Sequence, residues 1–309
     1  MAKPVKDPLT GAETTGHVWD DDLQEFNNPL PRWWLWTFYA TFVFAFVYWI
    51  IYPSWPFFGS YTRGVGNSIS YKTDAGEEKT THWNTRALLA SELQTGPTAM
   101  RQQEYLAKVA AAPYEQIVEN SDMSAFVRSY GRGIFGDYCA ACHQAGGQGV
   151  PGLFPNLVDD DWLWGSAPEQ IEYTIVHGRN GFMPAFRETF NDQQLDQVAN
   201  YVLSLSGLAA DPAQASQGEL IFNGETGGCY YCHTKDATGM YSQGAANPTD
   251  KIWTVAGVSP RQSEEKNLTA IKTVISNGIQ RQMPAWSSRL NPTEIKVLVA
   301  YLKQISGAE

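Results

Sequence analysis

All four cysteines of the chain lie in two five-residue stretches, Cys-Ala-Ala-Cys-His at 139–143 and Cys-Tyr-Tyr-Cys-His at 229–233. Thiols three positions apart share one face of a single helical turn. A disulfide inside such a turn is strained, and no thioredoxin-like strand pattern surrounds either pair. Half of a zinc site would need two further ligands. The histidine directly after the second cysteine decides between these chemistries, because C-x-x-C-H is the attachment signature of c-type haem. The expectation is two covalently bound haem c groups. Cys139 and Cys142 tether one by thioethers, Cys229 and Cys232 the other, and His143 and His233 each present an imidazole to the iron.

Such an iron needs a sixth ligand, or it stays open to small gases and peroxide. Of the six methionines, two stand in matching surroundings: Met183 in Gly-Phe-Met-Pro-Ala-Phe and Met283 in Arg-Gln-Met-Pro-Ala-Trp. A proline after the methionine pushes it towards extended backbone, as suits an axial arm on a loop. A soft thioether suits low-spin iron and raises its potential. His177 is the alternative to Met183; the second repeat has Asn277 at the corresponding place. His17 and His82 have no spacing that suggests metal. Forty positions separate His143 from Met183 and fifty separate His233 from Met283, so either methionine can serve its own repeat or the neighbouring one.

Stepping along the chain, the elements that must carry these residues form an internal repeat. Each copy opens on a helix with Gly-x-x-Ile-Phe, Gly131 to Phe135 and Gly218 to Phe222, and continues through the haem motif to a loop, a helix and the Met-Pro loop. Each closes on a helix with Asn191 or Asn291 as N-cap, Pro292 at the first helical position of the second, and Gly207 or Gly307 as stop. In those helices Leu195, Val198, Tyr201, Val202 and Leu205 match Ile295, Leu298, Tyr301, Leu302 and Ile305. Upstream, Trp33–Tyr52 runs twenty residues without a charge and with aromatic ends. At ~1.5 Å per residue that crosses the ~30 Å hydrocarbon core of a bilayer. The fold class expected is therefore all-α, with one N-terminal transmembrane helix and two tandem cytochrome c-type helical domains. The boundaries are 1–32 for a cytoplasmic segment, 33–52 for the membrane helix, 53–123 for a periplasmic linker with helices, and 124–207 and 212–309 for the two domains.

The net charge of −10 argues against nucleic acid, which needs clustered Lys and Arg. It suits a basic protein partner instead. From position 33 on there are 19 basic and 26 acidic residues. Near the membrane helix, Arg32 stands alone on the N-terminal side against Arg63 and Lys72 on the other, a positive-inside bias that is weak and runs slightly against a cytoplasmic N-terminus. Orientation follows from haem c attachment, which takes place outside the bacterial cytoplasm: an inner-membrane protein, single-pass, N-terminus cytoplasmic, haem domains periplasmic. No nucleophile–base pair or phosphate loop is evident, and too few histidines remain for a haem–copper centre. The chain reads as an electron carrier with no catalytic centre of its own, the rival readings being a free-standing anchored di-haem cytochrome or a di-haem peroxidase.

The segment Gly16 to Trp34, Gly-His-Val-Trp-Asp through Asn-Asn-Pro-Leu-Pro-Arg-Trp-Trp, is more specific than the haem motifs. Followed by one apolar span and two C-x-x-C-H modules, it resembles the di-haem subunit of cbb3-type cytochrome c oxidases, the CcoP/FixP family, over essentially the whole chain. The resemblance implies an electron relay in aerobic or microaerobic respiration. The donor would be a soluble or membrane-anchored c-type cytochrome, and the acceptors a mono-haem c subunit and, through it, the oxygen-reducing haem–copper subunit. It also implies Met183 and Met283 as distal ligands.

Overall fold

In the computed structural model, residues 3–253 and 255–306 are described, and they divide into two compact units, Met1–Gln102 and Gln103–Glu309. Gly307, the expected stop of the last helix, lies outside the described residues.

The first unit holds helix α1 (Arg32–Ile51), which starts after Pro31, buries none of its residues and is long and apolar enough to cross a membrane. A helix apolar on every side is built for a lipid solvent rather than for one packed face. Then come a short ladder of β1 (Pro56–Phe57) with β2 (Ser60–Tyr61), a hairpin of β3 (Ser68–Lys72) with β4 (Glu78–His82), and helix α2 (Thr85–Thr95) capped by the Asn84 side chain. His82 accepts or donates a 2.9 Å hydrogen bond with the Tyr61 hydroxyl. Helix α3 (Pro97–Ala111) leads into the second unit.

That unit is helical apart from one ribbon. Helix α4 (Tyr114–Glu119) precedes α5 (Ser121–Tyr138), whose first turn is capped by Asn120 accepting from the amides of Asp122 and Met123. The single-turn α6 (Ala140–His143) carries the first haem motif, followed by α7 (Pro168–His177), strand β5 (Arg179–Met183) and α8 (Asp192–Leu205). The second repeat supplies α9 (Pro212–Phe222), α10 (Tyr230–His233), α11 (Glu264–Asn277), β6 (Ile279–Met283) and α12 (Pro292–Ile305). Asn191 and Asn291 cap α8 and α12 as expected, each in a reciprocal box with Gln194 or Glu294 that satisfies two orphan amides.

The all-α expectation needs correction to mostly helical. Three two-stranded antiparallel ladders are present, and the third joins the two repeats: β5 pairs with β6 in the register Arg179↔Met283, Gly181↔Arg281, Met183↔Ile279. The Met-Pro segments are thus strand ends, not free loops. A two-stranded ribbon is marginal by itself, so this one depends on the helices beneath it.

Those helices are exchanged. Helix α12 packs on α5 and α7, while α8 packs on α9 and α11. At the α5–α12 crossing a Cβ on Gly131 would lie 2.7 Å from Tyr301 Cβ. On Gly218 at the α8–α9 crossing it would lie 2.0 Å from the Gln197 carbonyl oxygen and 2.9 Å from Tyr201 Cβ. Only glycine permits either approach, and each glycine meets the closing helix of the other repeat. Ring contacts repeat the pattern, Phe135 with Tyr301 at 5.7 Å and Phe222 with Tyr201 at 5.3 Å. So do backbone bonds, Trp286 N to Ile175 O at 2.9 Å and Phe186 N to Ile275 O at 3.0 Å. Two lobes result. The first core joins Val127, Ile134, Phe135, Ile171 and Ile175 to Ile295, Leu298 and Leu302; the second joins Leu195, Val198 and Leu203 to Ile271 and Ile275.

Candidate functional site

Each haem motif sits at the mouth of one lobe. The chain leaves α5 through Cys139, turns once in α6, and exits at Gln144 with φ +65°; in the second copy α9 ends at Phe222 with Asn223 as its cap, and a loop leads to Cys229, α10 and the exit at Thr234, also with φ +65°. Within each turn the histidine amide bonds back to the first cysteine's carbonyl at 2.9 Å, and the histidine carbonyl accepts from Gly149 or Gly239. The motif is held rigidly and identically twice.

The imidazoles are oriented as iron ligands need. His143 Nδ1 lies 3.0 Å from the carbonyl oxygen of Pro155, and His233 Nδ1 lies 2.8 Å from that of Ala246. A carbonyl can only accept, so Nδ1 carries the proton and Nε2 keeps its lone pair. Burial holds both imidazoles below the ordinary histidine range, and so neutral. A backbone carbonyl behind a ligating histidine is the usual support of a metal-bound imidazole.

The thiols do not behave as a redox pair. Burial pushes Cys139 and Cys229 each up to about 11, the opposite of the depressed thiol of a C-x-x-C oxidoreductase. Cys142 and Cys232 are exposed, and all four thiols are free. Among the described residues no group of three or more His, Cys, Asp or Glu side chains is placed to hold a metal ion. The donors present, two thiols and one neutral imidazole per turn, fit a haem c and fit a bare metal poorly.

Of the two pairings the spacing leaves open, the packing of the two methionines favours the exchanged one. Met283 packs against the first core, together with Cys139, Ala140, Leu157 and Trp162; Met183 packs against the second, together with Ile221 and Trp253. His177 is exposed, stacked on Tyr173 at 4.2 Å with Nδ1 near the Tyr173 carbonyl. The structure therefore groups Met283 with Cys139 and Met183 with the second repeat's core, and leaves His177 at the surface.

Sequence reasoning missed several residues around this seam. Arg179 stacks its guanidinium on Trp164 and Tyr173, at 4.5 and 4.6 Å from the ring centres. Arg281 donates to the Gly152 carbonyl. Asp161 is pushed up to about 7, first by burial and then by Asp250, Asp159 and Asp160. The available signal was the strand period: Arg281 and Met283 are two apart, hence on one face of β6.

Residues 11–59 match the family model described as the N-terminal domain of cytochrome oxidase-cbb3, FixP. Residues 129–202 and 213–302 each match that of cytochrome c oxidase, cbb3-type, subunit III. The cbb3-type cytochrome c oxidase subunit FixP of Azorhizobium caulinodans is 41% identical over 98% of this chain and 96% of its own length. The FixP subunit of a Bradyrhizobium species is 40% identical, covering 98% of both chains. The subunit CcoP of Azospirillum brasilense is 37% identical over the full length of both.

Proposed function

The chain belongs to the CcoP/FixP family, the electron-transfer subunit III of cbb3-type cytochrome c oxidases, and from that premise we propose that it is a membrane-anchored relay carrying two haems c with exchanged axial ligands. Electrons enter from a c-type cytochrome and leave to the mono-haem subunit, which feeds the haem–copper subunit where oxygen is reduced. Haem c supplies one reversible electron step at each site. The rest is done by this chain's residues.

Cys139 and Cys142 would tether the first haem, with His143 Nε2 free to ligate its iron and Met283, from the second repeat, as the second ligand. Cys229, Cys232 and His233 hold the second haem, closed by Met183 from the first repeat. The observation that supports this reading is the ribbon β5–β6, whose two methionines part into different lobes, Met283 with Cys139 of the first repeat and Met183 with Ile221 and Trp253 of the second. The Pro155 and Ala246 carbonyls keep the histidines in the ligating tautomer. Two thioether arms in packed lobes keep water and small oxidants off the irons, which suits transfer rather than substrate turnover. No catalytic centre belongs to the chain itself in this reading. Helix α1 anchors it with the N-terminus in the cytoplasm and both lobes on the periplasmic side, where haem c is attached.

Purification in mild detergent tests the proposal. Pyridine haemochrome assay should give two haems c per chain, both low-spin, co-eluting with a haem b and copper protein. A single haem, or a native ferrous haem that binds carbon monoxide, would remove the relay reading in favour of a peroxidase-like one. Elution alone, with both haems saturated, would leave a free-standing cytochrome.

A further inference from the structure

We propose that Arg281 donates through Nη1 to a propionate of the haem carried by Cys139 and Cys142, and so anchors that haem from the centre of the interlobe ribbon. The inference rests on the two-haem reading above.

Its place in the ribbon comes first. Arg281 is the third residue of β6 and pairs with Gly181. Side chains of an antiparallel pair alternate together, so Arg179, Gly181 and Met183 share a face with Met283, Arg281 and Ile279. Arg281 is therefore midway between the two methionines and on their side, opposite a residue with no side chain to crowd it. At ~3.3 Å per strand residue it stands roughly 7 Å along the ribbon from Met283.

Its hydrogen bonding comes second. Nη2 is committed to the carbonyl of Gly152, in the loop that follows His143. Nη1 is buried and has no partner among the described residues, and none of the ion pairs found among them includes Arg281. A desolvated guanidinium nitrogen with nothing to donate to is costly, and removal of charge by deprotonation is closed to arginine. The site calls for an anionic acceptor. The periphery of a haem c has one kind, its two propionate carboxylates; its methyl groups and thioether-bearing carbons carry no charge. A planar guanidinium is the side chain best matched to a carboxylate. A second buried donor without a partner, Trp162 Nε1, belongs to the same lobe, packed on the core that also receives Met283.

The device is one-sided. Arg281 occupies the place that Gly181 has in the first repeat, and the arginine of β5, Arg179, is stacked on Trp164 and Tyr173 and donates from Nε to Thr174 Oγ1, so no counterpart with an open buried nitrogen stands on β5. A fixed cation beside one haem disfavours its oxidised, more positive state and raises that potential alone.

Redox titration of the haem-loaded full-length chain in detergent, separated from the mono-haem subunit, tests this, with Arg281→Gln and Arg281→Lys. Arg281→Gln is expected to lower one of the two haem c waves by about tenfold in its reduction equilibrium, which is about 59 mV for one electron. The other wave should stay in place, and Arg281→Lys should recover part of the shift. Two unmoved waves in Arg281→Gln, or equal shifts in Gln and Lys, would overturn the proposal, the second by exposing a merely structural role. If Arg281→Gln fails to assemble, resonance Raman of the wild type against Arg281→Lys decides. A displaced propionate-bending band supports the contact and an identical band refutes it. Two haems c by pyridine haemochrome leave the relay reading intact whatever the titration shows, whereas a missing haem counts against that reading and not against Arg281.

Discussion

Substituting alanine for glycine at two positions of α5 should have opposite signs, and the difference measures the helix exchange directly. At Gly133 and Gly136 an added Cβ meets nothing within 4 Å. There, relief of glycine's helix penalty should stabilise the chain by up to ~1 kcal/mol. At Gly131 the same methyl would stand 2.7 Å from Tyr301 Cβ, 3.0 Å from Tyr301 Cγ and 3.3 Å from Val297 Cγ1. The near atoms are the root of a buried side chain on α12, so they cannot swing aside. Overpacking of this kind costs about 1–3 kcal/mol, against which the helix gain returns about 1. Gly131→Ala should thus be neutral to ~2 kcal/mol destabilised, and should lie about 1–3 kcal/mol below Gly133→Ala. For a unit of this size that gap is several degrees in Tm, at about 2–4 °C per kcal/mol. The assay is thermal unfolding of the haem-loaded chain in detergent, wild type and both variants in parallel. Because α12 follows Met283, Gly131→Ala should also increase carbon monoxide binding at the first haem. If Gly131→Ala proves as stabilising as Gly133→Ala, α5 and α12 do not meet there and the exchange of closing helices is wrong.

In a chain whose second attachment pair is replaced by Cys229→Ser and Cys232→Ser, Met283→Ala should open the remaining ferrous haem to carbon monoxide and lower its potential. Met183→Ala should leave that haem alone, and the reverse pattern would return each methionine to its own repeat. Asp161 carries a folded-state pKa of about 7 against 3.8 for the free group. The native state therefore holds more protons than the unfolded one across that window, and this residue's contribution to stability falls as pH rises from about 4 to 7. Discounted for partial exposure, Asp161→Asn should add ~1–2 kcal/mol at pH 8 and little at pH 4; denaturant midpoints at both pH values check it, and a pH-independent difference would contradict the burial argument. With 26 acidic and 19 basic residues from position 33 on, reduction by a basic c-type cytochrome should slow as salt rises. Stopped-flow rates that ignore ionic strength would deny acidic steering.

What the sequence made legible was local. The C-x-x-C-H turns, the Asn191 and Asn291 caps and the uncharged span that became α1 each declare themselves within a few residues. The helices expected within the 53–123 segment are present as α2 and α3. The hairpin β3–β4 escaped because Ser-Ile-Ser-Tyr-Lys and Glu-Lys-Thr-Thr-His present no continuous apolar face; Ser70 and Thr80 pair hydroxyls across it instead. The ribbon escaped because five residues ending in Met-Pro look like a loop until a partner strand is beside them. The exchange could not be read at all. The apolar positions of α8 and α12 fall at the same intervals, so either helix presents a surface that fits either lobe. Hydrophobic spacing fixes which face is buried, not against which copy.

That indifference has a physical consequence for a relay. In the first lobe, Val127, Ile134 and Phe135 of one repeat close on Ile295, Leu298 and Leu302 of the other. Each of those large side chains contributes ~1.5–3 kcal/mol by burial. Withdrawing α12 alone would thus forfeit a share of that core comparable to the whole stability of a domain, ~5–15 kcal/mol. If Met183 and Met283 are the ligands proposed, opening one site would disturb the other, since the strands that carry the two methionines are hydrogen-bonded to each other. Two independent domains on a tether would be free to rotate, and the path between their irons would vary with every rotation. In the proposed relay the methionine ligands would themselves be the splint between the two sites, and the geometry of transfer would be set by the same packing that saturates the irons.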